Sequence, residues 1–213
     1  MLRKIILITA FAINSSVDCT QGKFLLLMGP SGAGKSTLIN HLKALDDRFV
    51  YVTPFTTRDL RPGEQDKIHI SMEQLENLRS ADKLLTINHM YGIYYATPKY
   101  SIDEALAAGR FPVLDWPIEK LTVMQEQYSG QLYKVYVEPD DIEELHRRLS
   151  LDSRDKDGKR YQAGKLEIEN LLSGSYDALV DLRIVNKKDC DLQTAQDILR
   201  SFLQTVETPG SDL

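Results

Sequence analysis

The sequence predicts an α/β fold built on a central parallel sheet. Two observations carry this reading: short apolar runs alternate with helical stripes along most of the chain, and the first such run ends in a glycine-rich turn that opens an amphipathic helix. A third bounds it. The chain has 213 residues, of which 42% are hydrophobic and 27% charged, the composition of one well-buried domain with room for insertions.

The elements follow in order. Phe24-Leu25-Leu26-Leu27-Met28 is a continuous apolar run, the pattern of a strand buried on both faces. Ser36 to Leu45 carries apolar residues at Leu38, Ile39, Leu42 and Leu45, a helical stripe. Further buried strands are expected at Phe111 to Leu114, Leu132 to Val137 and Leu182 to Val185. Capping-box spacing predicts helix starts at Ser71 with Gln74, Ser101 with Glu104, and Asp140 with Glu143. Two stretches leave the alternation: 54–97, rich in Thr, Arg, Gly and Tyr, and the charge run Asp152 to Arg160. Both read as excursions from the sheet rather than as separate domains.

Bulk charge narrows the partners. A formal net charge of −5 argues against a nucleic-acid binder. Cys19 and Cys190 stand far apart, which excludes a disulfide framework and a Cys/His zinc cluster and fits a reducing compartment. Residues 1–22 start basic and run apolar from Ile5 to Ile13, too short to span a bilayer and with no clear cleavage site after it. They are read as an N-terminal extension, 208–213 as a C-terminal tail, and the chain as a cytoplasmic one with no membrane partner.

The strongest chemical signal is Gly29-Pro30-Ser31-Gly32-Ala33-Gly34-Lys35-Ser36, a full G-x-x-x-x-G-K-[ST] match between a buried strand and a helix. Glycines let backbone N–H groups point inward, and the helix beginning near Lys35 adds its positive end. Lys35 is placed to reach the β and γ phosphates of a nucleoside triphosphate, and Ser36 to offer its hydroxyl to Mg²⁺. Thr37 completes the donor segment. A phosphate loop alone does not separate a kinase from a GTPase or motor; the acceptor side must do that.

There, Thr56-Thr57-Arg58-Asp59-Leu60-Arg61-Pro62-Gly63-Glu64 sets two arginines three apart, planar forks suited to phosphate oxygens, and Tyr91, Tyr94 and Tyr95 follow. With these motifs the chain resembles the guanylate kinase family: GPSGAGKSTL at 29–38, TTRDLRPGE at 56–64, YGIYYATPK at 91–99, VLDW at 113–116, the arginine-bearing stretch 145–160 and IVN at 184–186. The resemblance spans residues 23 to 204. It implies a P-loop three-layer α/β/α domain over 23–207, with a mixed β insertion at about 54–97 that binds the acceptor and a lid at about 150–165. It also implies ATP, Mg²⁺ and transfer of the γ-phosphate to GMP or dGMP, in a monomer or homodimer. By position, Arg58, Arg61 and Tyr95 match the acceptor-phosphate clamp, with Thr86 and Thr97 in the same site. Arg148, Arg154 and Arg160 match lid arginines, Asp115 an aspartate near metal and acceptor, and Asn186 a donor-base contact. No histidine base is needed, so His41, His69, His89 and His146 are expected to be structural or exposed.

The departures concern the base. Where the family reads guanine with a serine and two carboxylates, this chain aligns Pro54, Thr86 and Pro117, and a tyrosine expected after RPGE is absent, with Ile68 nearest. None of those groups accepts the guanine N–H protons as a carboxylate does, so guanine discrimination is expected to fall unless Asn88, Thr97 or another group compensates: phosphate binding is kept while base reading is altered. Two alternatives stay open: a kinase of another phosphorylated acceptor such as ribose 1,5-bisphosphate, and a non-catalytic binding module, which the intact phosphate loop disfavours.

Overall fold

A computed structural model describes residues 23–90, 92–151, 155 and 157–207. Strand β1 (Phe24–Met28) lies at the centre of a sheet that comprises five strands among the described residues. The others are β2 (Phe49–Tyr51), β7 (Phe111–Asp115), β8 (Leu132–Pro139) and β9 (Leu182–Asn186), in the order β2-β7-β1-β8-β9, every pair parallel. All five residues of β1 are buried, because helices cover both faces of a parallel sheet.

The period of two decides which side each residue serves. Leu25 and Leu27 join Val113, Val135 and Val137 beneath helices α1 (Lys35–Leu45) and α7 (Asp191–Glu207), which contribute Leu38, Leu42, Ala195, Ile198 and Phe202. Phe24, Leu26 and Met28 face the other way, with Leu114, Trp116 and Tyr136, towards α3 (Lys99–Ala107), α4 (Leu121–Gln127) and α6 (Lys159–Leu172). The result is three layers, as expected. Helix α5 (Ile142–Ser150) packs on α6 through Leu145, Leu149, Ile168 and Tyr161. Within α6, Gly164 lies against Leu145 and Pro30, so close that an added Cβ would come within 3.1 Å of each.

A second, mixed sheet occupies the insertion: β4 (Ile68–His69), β3 (Phe55–Thr56), β6 (Ile93–Pro98) and β5 (Leu84–Met90), in the order β4-β3-β6-β5. Phe55, Ala96, Ile87 and Tyr94 form its apolar face with Ile70, Leu75 and Leu78, under α2 (Met72–Ser80). The capping box at Ser71 and Gln74 is made in full.

Four local expectations need correction. Helix α3 starts at Lys99, so Ser101 and Glu104 lie inside it; Pro98 closes β6 in extended backbone and the helix follows with no side-chain cap. At α5 the cap is Asp141, accepting from the Glu144 N–H, and not Asp140 with Glu143. β9 is an edge strand, and Arg183 and Val185 on its outer face are exposed, so Leu182 to Val185 is not buried throughout. Leu45 is 37% exposed at the end of α1, off the stripe that Leu38, Ile39 and Leu42 bury. The N-terminal extension and the tail at 208–213 lie outside the described residues.

Candidate active site

The parallel order puts a switch point at β1, whose neighbours β7 and β8 lead away on opposite sides, and ligands in open α/β sheets bind at such a point. The chain leaves β1 into residues 29–34 and enters α1 at Lys35. Gly34 caps α1 at φ 96° with no side-chain bond, so the first-turn N–H groups keep their capacity for an anion. A Cβ there would lie 2.4 Å from Asn186 Nδ2, which leaves glycine as the residue that fits.

Lys35 is buried. Its Nζ donates to the carbonyl oxygens of Gly29 at 2.6 Å and Pro30 at 2.9 Å, and sits 3.7 Å from Asp115 Oδ1. Asp115 ends β7 in register with Leu27 of β1, which brings its half-exposed carboxylate to the loop. Ser36 and Thr37 are exposed in the first turn of α1. Among the described residues no group of three or more His, Cys, Asp or Glu forms a metal cage. The Ser36 hydroxyl and the Asp115 carboxylate are hard oxygen donors, which suits a Mg²⁺ held chiefly by phosphate oxygens and water.

Two arginines reach the loop from the α5–α6 side. Arg148 donates to Gly32 O at 3.4 Å and Asn186 O at 3.2 Å, and its Nε is held by Glu144 at 2.8 Å. Arg147 and Arg148 together keep the Glu144 carboxyl low, at about 2. Arg160 Nη1 donates to Ser31 Oγ at 3.4 Å. The carboxylate of Asp155 accepts from the Arg160 and Tyr161 N–H groups and fixes the start of α6. Arg154 lies outside the described residues. Asn186 sits beneath the loop, fully buried, with Nδ2 donating to Ala33 O at 3.0 Å and to Asp191 Oδ1 at 2.7 Å. It braces the loop from below.

On the acceptor side, strand alternation puts Thr56, Tyr95, Thr97, Thr86 and Asn88 on the face of the mixed sheet opposite its apolar core. Arg58 follows β3. Its guanidinium forms a fork with Glu64, Nη1 to Oε2 at 2.7 Å and Nη2 to Oε1 at 2.5 Å, and also donates to Asp59 O. The fork holds the Glu64 carboxyl down to about 2, against the opposing cost of its burial. The same bond, with a lesser contribution from Tyr95, pushes Arg58 further up. Arg61 is exposed, and its side chain has no ion pair or hydrogen bond among the described residues; its backbone N–H donates to Glu64. Thr86 donates to Thr97 at 3.4 Å. Tyr91 lies outside the described residues, and Tyr94 stacks on His89 at 4.3 Å on the apolar side, away from the clamp. His69, His89 and His146 are exposed.

Three contacts had no clear signal in the sequence. Glu64 stands in the TTRDLRPGE motif, and its role as the partner of Arg58 emerges only when the Pro62-Gly63 turn folds back. Lys120, in a 3₁₀ turn after β7 (residues 118–120), donates to Asn88 Oδ1 on β5 and so ties the insertion to the core. Glu167 on α6 accepts from Tyr136 Oη at 2.9 Å, and burial holds its carboxyl above the ordinary range, opposed by that bond and by Lys35.

The guanylate kinase family model matches residues 21–204. Among curated relatives, a guanylate kinase of Desulfitobacterium hafniense is 30% identical over 88% of this chain and 92% of its own length. One of Carboxydothermus hydrogenoformans is 33% identical over 86% and 88%. The crystal structure of guanylate kinase from Anaplasma phagocytophilum superposes with a TM-score of 0.67 at 21% identity, covering 88% of this chain and 87% of that one.

Proposed function

The chain belongs to the guanylate kinase family, and from that premise we propose that it transfers the γ-phosphate of ATP to the phosphate of a nucleoside monophosphate, GMP or dGMP. One observation carries the reading. Lys35, Arg148 and Arg160, from three separate elements, converge on the loop at 29–34 beside Asp115, and the Asn88–Lys120 contact joins the Asp115 turn to the wall that bears Arg58 and Tyr95.

Phosphoryl transfer needs alignment and charge neutralisation rather than a protein nucleophile. The loop N–H groups and α1 receive the donor phosphates. Lys35, which rests on two loop carbonyls, exchanges those bonds for phosphate oxygens, a stronger charge-assisted pairing. Arg148 and Arg160, with Arg154 by resemblance, offset the charge of the group in flight. Arg58, Arg61 and Tyr95 hold the acceptor phosphate, and Thr86 and Thr97 line the space beyond it. Ser36 and Asp115 would hold Mg²⁺, which supplies further neutralisation of the phosphate charge. Asn186, buried beneath the loop, supports the donor site structurally, alongside the donor-base contact that the resemblance implies.

A second reading, transfer to a phosphorylated sugar such as ribose 1,5-bisphosphate, is favoured by one feature. Thr56, Thr86, Asn88, Tyr95 and Thr97 supply hydroxyls and an amide to the acceptor wall but no carboxylate. A coupled assay decides: the protein with ATP and Mg²⁺ is offered GMP, dGMP, AMP, UMP, dTMP and ribose 1,5-bisphosphate in turn. ADP release that depends on GMP or dGMP is expected. Turnover with the sugar alone would replace the first reading by the second, and no turnover with any acceptor would remove both.

A further inference from the structure

We propose that Lys120 and Asn88 are the base-reading pair of the acceptor site, Lys120 donating to the C6 carbonyl oxygen of guanine and Asn88 accepting from its N1–H. The inference rests on the guanine-nucleotide reading above and names how that base is read.

The pair is a donor next to an acceptor, joined across the cleft. Lys120 Nζ donates to Asn88 Oδ1, a contact between two segments 32 residues apart. Both ends are placed by rigid neighbours. Asn88 is opposite Tyr95 and on the same face as Thr86 and Thr97, so it extends the polar wall away from the Arg58 clamp. Lys120 closes a 3₁₀ turn whose backbone is fixed twice, by its N–H donating to Pro117 O and by its carbonyl accepting from Trp116 Nε1 at 3.0 Å. Ile118 and Leu121 on either side are buried.

The two partners also match one edge of guanine. That edge presents an oxygen acceptor adjacent to an N–H donor, the complement of an ammonium adjacent to an amide oxygen. A guanine entering between them replaces one Lys120–Asn88 bond with two, one to each partner. Adenine inverts the pattern, with an amino group where guanine has its oxygen. Asn88 can turn its amide to suit either base, but an ammonium only donates, so Lys120 is the discriminating member. This answers the loss of the family's serine at Pro54 and of its two carboxylates at Thr86 and Pro117 with different chemistry at two other positions.

The test combines variants with analogues, all on the full chain. Lys120→Met keeps the length of the side chain and removes its charge. Its backbone contacts to Pro117 and Trp116 remain, so Trp116 fluorescence should match the parent's, and the lost tie to Asn88 should lower the melting temperature by only a few degrees. Its KM for GMP should rise about ten-fold or more, the KM for ATP should hold, and the preference for GMP over AMP should fall by the same factor. Lys120→Arg should recover most of it. On the unaltered protein, inosine monophosphate, which keeps the C6 oxygen, should be used, and 2-aminopurine riboside monophosphate, which lacks it, should not. An unchanged KM and preference in Lys120→Met, or equal use of the two analogues, overturns the inference while GMP turnover stands. If Lys120→Met does not fold, the analogue pair decides. Failure of the unaltered protein to use GMP at all overturns the acceptor reading and this inference with it.

Discussion

Replacing Glu64 with glutamine tests how the acceptor clamp is held. In the folded protein the Glu64 carboxyl stays ionised down to about 2 instead of the ordinary 4.5, first because Arg58 bonds it as a fork. That lowering corresponds to ~3 kcal/mol of coupling. Glutamine keeps part of the hydrogen bonding to Arg58, so about 1–2 kcal/mol is the effect expected on stability. For a chain of this size that lowers the melting temperature by roughly 2–8 °C. The sign with pH follows from the depressed value. Glu64 stabilises the fold fully above its unfolded value near 4.5, and that contribution drains away as pH falls towards about 2. Melting curves of parent and Glu64→Gln should therefore differ at neutral pH and converge in acid. Arg58 loses its orientation in the variant, so the KM for the phosphorylated acceptor should rise about ten-fold while that for ATP holds. Equal melting at neutral pH together with an unchanged acceptor KM would refute the assignment of Glu64 as the brace of Arg58.

Three further outcomes are expected. Lys35→Ala should lose phosphoryl transfer by at least about a hundred-fold, read in the same coupled assay, because it removes the ammonium that stands between the loop carbonyls and Asp115. Asn186→Ala should cost about 1–3 kcal/mol in denaturant unfolding and raise the KM for ATP, since Ala33 O and Asp191 lose a buried partner. Tyr136→Phe strips the Glu167 carboxylate of its donor. Burial already raises that carboxyl, so the variant should be destabilised more at mildly alkaline than at mildly acidic pH, where protonation relieves it; equal loss at both would count against the pairing.

Much of the fold could be read before folding because burial on both faces writes itself as an unbroken apolar run, as in β1, and burial on one face as a stripe, as in α1. The edge strand β9 escaped that logic: one of its faces is open, so Arg183 and Val185 are half of an alternation. Helix starts were harder. The spacing of Ser101 and Glu104 satisfies a capping rule, yet the geometry after Pro98 had already begun the helix. At α5 two consecutive aspartates compete, and spacing alone does not choose between them. The phosphate loop was legible because its pattern is local, eight residues in one turn. The acceptor site was not, because Arg58 with Glu64 needs a turn between them and Lys120 with Asn88 needs two separate elements to meet. Such pairs exist in the tertiary fold and leave no periodic trace.

Gly164 sets the distance between α6 and the loop at Pro30. Its bare Cα lets α6 rest directly on Pro30, and through Arg160 the same helix touches Ser31. A methyl group there would crowd Leu145 and Pro30 at 3.1 Å and require them to give by a few tenths of an ångström. The spacing between α6 and the loop at Pro30 is thus set by a residue with no chemistry of its own.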